Sequence, residues 1–399
     1  MLLHWIWLAE LPDISLRQKL QLLQHFPDAE DLFCADEEKL ADLEPKLRQA
    51  IANKDLQEAR KIHTKCLQRG IDLLAYTDPA YPARLKNIPD PPILLYCKGV
   101  LPDFDEKPAI AVVGTRKATP YGMSATKKLT RQIACCGGLV VSGGAAGIDT
   151  AAMQGALETG NPIVCVLGCG VDIAYPARNR QLFADTVKTG WLISEYPPGS
   201  KPEAWHFPQR NRIISGLSNG VLVTEAPEKS GALITARQAL EQGRDVFALP
   251  GNIDVDTSAG SNALLQDGAM AVMSGWDVLR TYEGQYSAVA NRPLTVTPTE
   301  PAPAVLKVAR DEILPDDKKD IDILSKSLYS GKENSSADLS PQEQQILAIL
   351  TETPQPVDAV LAQLDMPSAA ALSLLTKLAL KGVVINHPGR LISASNRRK

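Results

Sequence analysis

Residues 142–152 read SGGAAGIDTAA, a glycine-rich stretch that follows a β-branched run and opens a helical pattern. Gly143, Gly144 and Gly147 carry no Cβ, so backbone N–H groups there can approach a ligand closely. The helix that follows adds about half a positive charge at its start, which makes an anion site with Ser142 at its edge. Asp149 competes for the same amides as a helix cap. From these residues alone, phosphate binding and a ligand-free strand-to-helix turn stay equally open. Neither G-x-G-x-x-G nor G-x-x-x-x-G-K-[ST] occurs, so a dinucleotide dehydrogenase or a P-loop NTPase has little support.

Basic residues gather around other turns of the same region. VGTRKATPYG places Arg116 and Lys117 after one β-branched run, and YPARNRQLF places Arg178 and Arg180 after another. PGSKPEAWHFPQRNR then brings Lys201, Trp205, Phe207, Arg210, Asn211 and Arg212 together, ahead of an apolar stretch. Cations interleaved with aromatics suit a single-stranded nucleic acid: phosphates meet the charges, and each base stacked on a ring contributes roughly 1–3 kcal/mol. Arg210 and Arg212 are read as phosphate ligands at a strand-end crevice, with Asn211 fixing the turn. Phe207, beside Pro208, is the better candidate to offer a face to a base, whereas Trp205 stays open between a stacking role and a slightly preferred place in the core.

Asp149, Glu195 and Glu225 have the chemistry of general acids or bases. Glu195 and Glu225 lie beside the arginine-rich segments, and pairing to Arg210, Arg212 or Arg116 is their expected use. Ser230 opens a helix as a cap or a phosphate donor. The five histidines are scattered, and no metal-ligand cluster or Ser-His-Asp arrangement emerges, so neither a metal nor a cofactor is expected.

The whole chain sets broader limits. It has 399 residues, 44% of them hydrophobic, enough for two or three domains with ordinary cores. A formal charge of −4 argues against a histone-like polycation but leaves room for a local basic stripe. The seven cysteines include no C-x-x-C pair and read as thiols in a reducing compartment. The start MLLHWIWLAELPD lacks a basic leader, and no apolar run reaches the ~18 residues of a membrane helix, so a cytoplasmic protein without membrane partners is expected.

These residues must be held by regular elements. Residues 1–70 carry apolar side chains at three- and four-residue steps and predict a small helical domain of a SAM or helix-hairpin type, with Gly70 ending its last helix. Prolines between 71 and 108 allow one or two strands and no long helix. From 109, the runs AIAVVG, GLVVSGG, PIVCVLG, WLISEY, GVLVTEA and DVFALPG alternate with helical patterns. That order predicts an α/β fold with a doubly wound, mostly parallel sheet, whose ligands sit at the carboxyl ends of its strands. A flexible linker is expected over 283–339 and a winged-helix module over 340–399, its first helix capped by Ser340 and its hairpin turning at His387–Pro388–Gly389. The would-be recognition helix, 367–382, has only Lys377 and Lys381 as basic groups, so duplex DNA and a protein both stay open as its partner.

SGGAAGID, VLGCGVDIAYPARN, ISEYPPG, FPQRNRIISGLSNGVLVTEA, SGALITARQALEQGRDVFALPGN and GSNALLQDGA occur in this order between residues 142 and 269, within a stretch of 71–282 that reads as one domain. Together they resemble the signature segments of the DprA/Smf family, the DNA-processing proteins of natural transformation. The resemblance implies a Rossmann-like domain that binds single-stranded DNA, dimerises near the 232–242 helix and loads the RecA recombinase, without being an enzyme. It also implies a basic pocket of Arg116, Phe207, Arg210, Asn211 and Arg212, with Lys201 nearby. Two departures stand out: Met153 replaces a histidine of most relatives, and Ala177 replaces a basic residue of many. An alternative from another class is a nucleotide-acting phosphoribohydrolase-like enzyme, which would use the glycine loop with Arg116 and Glu225.

Overall fold

Short runs of Val, Ile, Leu and Ala that are apolar on both faces become strands buried on both faces. In the computed structural model, which describes residues 2–289 and, within 340–394, all but 352, 354, 365, 367–370, 372, 373, 376, 380–382 and 388–390, the six runs expected to be strands are strands. The sheet comprises β1 (Asp72–Ala75), β2 (Leu94–Gly99), β3 (Ala109–Val113), β4 (Leu139–Ser142), β5 (Ile163–Leu167), β6 (Trp191–Ser194), β7 (Gly220–Val223), β8 (Asp245–Ala248) and β9 (Met270–Ala271). Their order is β1-β2-β6-β5-β4-β3-β7-β8-β9. All neighbours from β6 to β9 run parallel; β1 and β2 are added antiparallel. The two strands allowed by the proline-rich stretch thus extend the main sheet.

Alternate residues of each central strand enter different cores. Ala111, Val141, Val166 and Val223 face the helices His206–Leu217 and Gly231–Glu241 through Ile213, Ile214, Leu217 and Ala236. Val112, Val140, Cys165 and Leu222 face the helices Pro120–Cys135 and Ile148–Leu157 through Leu129, Ile133, Ala152 and Met153. The sheet is therefore doubly wound, with its direction of winding reversing at β3. Met153, at the position where a histidine was noted as usual, is fully buried in this second core.

The N-terminal helices share a core with the sheet. Trp5, Ile6, Trp7 and Leu8 pack in one apolar cluster with Ile71, Ala75, Ile93, Leu94 and Tyr96 of the β1–β2 edge. Gly70 ends the Gln57–Arg69 helix in the left-handed region at φ 58°, and β1 begins two residues later. The boundary expected near residue 70 is thus a change of secondary structure across a continuous core.

The C-terminal unit is described by itself. Ser340 caps the helix Pro341–Ile349, accepting from the Glu343 amide at 3.3 Å while the Glu343 carboxylate accepts from the Ser340 amide at 2.8 Å. Strands β10 (Gln355–Pro356), β11 (Val384–His387) and β12 (Leu391–Ala394) pair in the order β10-β12-β11 over Ile346, Val360, Leu378 and Ile392. The hairpin turn, most of the expected recognition helix including Lys381, and residues 290–339 of the linker expected over 283–339 lie outside the described residues, whereas Tyr286 and Val289, also expected in that linker, pack against the sheet domain.

Because Trp5 is 2% exposed in the shared core, Trp5→Ala is expected to cost about 3–5 kcal/mol. Denaturant unfolding followed by far-ultraviolet circular dichroism and by fluorescence should show the N-terminal helices and the sheet melting in one shifted transition.

Candidate functional site

Every loop singled out for its chemistry leaves the carboxyl end of a parallel strand. Arg116 follows β3, the glycine loop follows β4, the segment bearing Arg178 follows β5, and Lys201 lies between β6 and the His206–Leu217 helix. The RNR sequence is itself helical, which sequence patterning had not indicated. Arg210 and Arg212 stand two residues apart and so leave the helix in different directions.

Arg210 points inward and is 4% exposed. Its Nη1 donates to Gly143 O at 2.6 Å and to Val166 O, and its Nε donates to Asn211 Oδ1 at 3.2 Å. Burial draws the guanidinium below its ordinary pKa, and the neighbouring Asp149 carboxylate opposes that shift. Asp149 is equally buried: desolvation pushes its carboxyl up, against the pull of Arg210, the Ala145 and Gly143 amides and Arg116. Gly143 is what lets the two meet. A Cβ built there would fall 2.6 Å from Arg210 Nη2 and 2.7 Å from Asp149 Oδ2.

Arg212 points along the sheet to the end of β6, where its Nη2 donates to both oxygens of Glu195, at 2.7 and 2.8 Å. Burial alone would lower its pKa, but Glu195 holds the guanidinium above its ordinary value. Nε of the same residue donates to Asp90 O at 2.9 Å. The expectation that both arginines offer their charge to a ligand is therefore replaced. Arg210 is a floor residue satisfied from within, and Arg212 is neutralised by the acid that the pairing alternative named.

The glycine loop is likewise filled from within. Asp149 Oδ2 accepts from Ala145 N at 3.2 Å, Asn179 Nδ2 donates to Gly144 O at 2.9 Å, and the Thr150 hydroxyl donates to Ala145 O at 2.8 Å. Ser142 spends its hydroxyl on Val112 O at 2.9 Å and is fully buried. Gly144 and Gly147 adopt φ of 70° and 76°, which few other residues tolerate. Asp149 thus takes the Ala145 and Gly143 amides, two of the donors the loop would offer a phosphate. Asn179 and Thr150, not singled out from the sequence, hold the loop's carbonyls.

Solvent meets a different set. Arg116, Lys117, Arg178, Arg180 and Lys201 are exposed. Arg116 is positioned by the Thr115 backbone, whose N–H donates to Glu225 O at 2.7 Å and whose carbonyl accepts from Ile148 N at 3.2 Å. Its guanidinium lies 4.9 Å from the centre of the Phe207 ring, with the Arg210 guanidinium 5.9 Å away and Tyr175 tilted alongside at 5.7 Å. Phe207 is thus half-buried between cations. Trp205, expected in the core, is 49% exposed, edge-on to His206 at 4.1 Å, with its indole N–H bonded to Glu203 at 2.5 Å. Below the rim, Arg116, Gly143, Leu167, Tyr175 and Phe207 help line a hollow of about 60 Å³, room for a few waters and far less than a nucleotide needs.

Glu225, the remaining acid, is 3% exposed. One oxygen accepts from the Thr119 amide at 3.0 Å and hydroxyl at 3.2 Å, and the other accepts from the Thr257 hydroxyl. Ser230 caps the Gly231–Glu241 helix. Among the described residues, no group of three or more His, Cys, Asp or Glu side chains is arranged to hold a metal, and no helix is long and apolar enough to cross a membrane.

A doubly wound α/β domain with a cationic rim over strand carboxyl ends defines a Rossmann-like protein, here followed by a small C-terminal unit. Residues 72–283 match the family model of DNA recombination-mediator protein A, and residues 330–390 match the DprA winged helix domain. The chain is 33% identical to the Smf protein of Synechocystis over 403 aligned residues, covering 97% of both proteins. It is 45% identical to DprA of Streptococcus pneumoniae over 211 residues, 52% of this chain and 72% of that one. The crystal structure of that pneumococcal protein superposes with a TM-score of 0.62 at 35% identity, covering 70% of this chain and 98% of its own. The chain belongs to the DprA/Smf family.

Removing Asp149 would leave the Arg210 charge buried without its counter-charge, so Asp149→Ala is expected to cost about 3–5 kcal/mol. Urea unfolding of Asp149→Ala beside Glu203→Ala, which touches only the exposed rim, checks this; the second variant should unfold like the wild type.

Proposed function

We propose that this protein binds single-stranded DNA along the cationic rim and delivers it to the RecA recombinase during transformation, acting without chemistry of its own. One observation carries the reading: Arg116, against Phe207, and Arg178 and Lys201, on neighbouring strand-end loops, face solvent, as does Trp205, while Asp149, Glu195 and Glu225 are engaged internally. Charge that reaches solvent beside aromatic faces suits a strand with exposed bases and phosphates. Arg210, Asn211, Arg212, Ser142 and the three glycines then serve by shaping the rim, with phosphate contact assigned to the exposed cations.

Assembly as a homodimer fits the Gly231–Glu241 helix, whose Leu240 is 62% exposed and whose Arg237 also faces solvent. The winged helix would add contacts to duplex DNA or to a protein. A cytoplasmic location accords with this role. The phosphoribohydrolase-like alternative would require Glu225 as a reacting group, yet both its oxygens already accept hydrogen bonds and it is buried.

Fluorescence anisotropy with labelled oligonucleotides at several salt concentrations tests the reading. Arg116→Ala, Arg178→Ala and Lys201→Ala should each weaken single-strand binding whatever the sequence, and lower the log–log salt slope by about 0.7. Trp205→Ala should lose about 1–3 kcal/mol with little change in slope. Equal affinity for single and double strands, unmoved by these variants, would refute it.

A further inference from the structure

Asp172 lies on the loop after β5, with a side chain 8% exposed. One of its oxygens pairs with Arg69, in the last turn of the Gln57–Arg69 helix, and the other accepts from Gly199 N at 3.0 Å. A second bond joins the same two loops, from Gly170 N to Ser200 O at 3.0 Å. Position 170 must be glycine, because a Cβ there would fall 2.5 Å from Asp172 Oδ1 and 2.9 Å from Gly199 N. Val171, between Gly170 and Asp172, is 6% exposed and packs in the core of the N-terminal helices. The two loops carry Arg178 and Lys201, two of the exposed cations of the rim.

We propose that the N-terminal helices are a positioning element of the rim, and that Arg69 acts through Asp172 to hold the Lys201 loop against the path of the phosphates. The proposal rests on the single-strand reading above. A carboxylate this buried needs an opposing charge as well as one backbone amide, and Arg69 supplies it from the helical side. Without Arg69, Asp172 turns toward water and Gly199 loses its acceptor, so Lys201 no longer stands at a fixed place. Arg69 itself is 48% exposed, and a pair open to solvent adds little to global stability. Its effect therefore falls on position more than on folding.

The test combines amide hydrogen exchange at Gly170 and Gly199 with salt-dependent anisotropy on a labelled oligonucleotide. It compares the full-length wild type with Arg69→Ala, Arg69→Lys, Lys201→Ala and the Arg69→Ala/Lys201→Ala double variant. In Arg69→Ala, exchange at Gly199 should accelerate while the unfolding midpoint holds. Affinity for single strands should fall roughly two- to fivefold, and the salt slope should drop by up to the ~0.7 lost in Lys201→Ala. The double variant should lose no more slope than Lys201→Ala, because both changes remove one contact. Arg69→Lys should recover most of the affinity. Unchanged exchange at Gly199, or additive losses in the double variant, would overturn the positioning role. If Lys201→Ala is impaired and Arg69→Ala is not, only the positioning role falls. If the wild type itself fails to bind single strands, the functional reading falls first.

Discussion

A guanidinium buried beneath the carboxyl ends of a parallel sheet is the constraint around which this site is built. Arg210 bonds to the carbonyls of Gly143 and Val166, just past β4 and within β5, and so ties two strand ends to the helix that carries it. Its charge needs a counter-charge nearby, which explains Asp149 at the start of the next helix; Asp149 in turn occupies the glycine loop. Because Arg210 fixes the rotation of its helix, Phe207 one turn earlier is set against Arg116. One buried cation thereby decides the shape of a loop, the angle of a helix and the placing of an exposed arginine.

The division of charge follows from that core. The inner arginines and acids satisfy one another, and at this end of the sheet the strand-end loops keep their cations in solvent. This reconciles a chain of net charge −4 with a basic rim, since what a polyanion meets is the local field and not the sum. On the proposed single-strand reading, the modest hollow under Phe207 suffices, since a nucleic-acid strand laid across a rim does not require a deep pocket.

Much of the architecture was legible in the chain. β-branched runs, most of them ending in glycine, marked six strands, and Gly70, Ser230 and Ser340 end or cap the helices they flank. What escaped depends on three-dimensional direction. FPQRNR carries a proline and two arginines, a weak helical signature, so the spacing that sends Arg210 inward and Arg212 to Glu195 could not be seen. Trp205 came out exposed where a core place was expected, because aromatic type does not say which side of a loop faces water. β9, two residues long, is too short to leave a periodic trace. Asn179 and Asp172 bond to groups distant in sequence, backbone carbonyls and Thr150 for the one, the Gly199 amide and Arg69 for the other, and no motif announces such bonds.

The covering of the β1–β2 edge has a further meaning for how the protein stays intact. A sheet of nine strands presents two borders at which another chain might add itself. On one side the N-terminal helices bury Ile71 and Ala75 beside a four-residue β1, and on the other the sheet stops at the two residues of β9. Short borders leave few free backbone groups to template growth. Trimming the chain to its sheet would strip the first border of its cover and expose the apolar side chains of Ile93, Leu94 and Tyr96, turning a guarded border into a seed for aggregation.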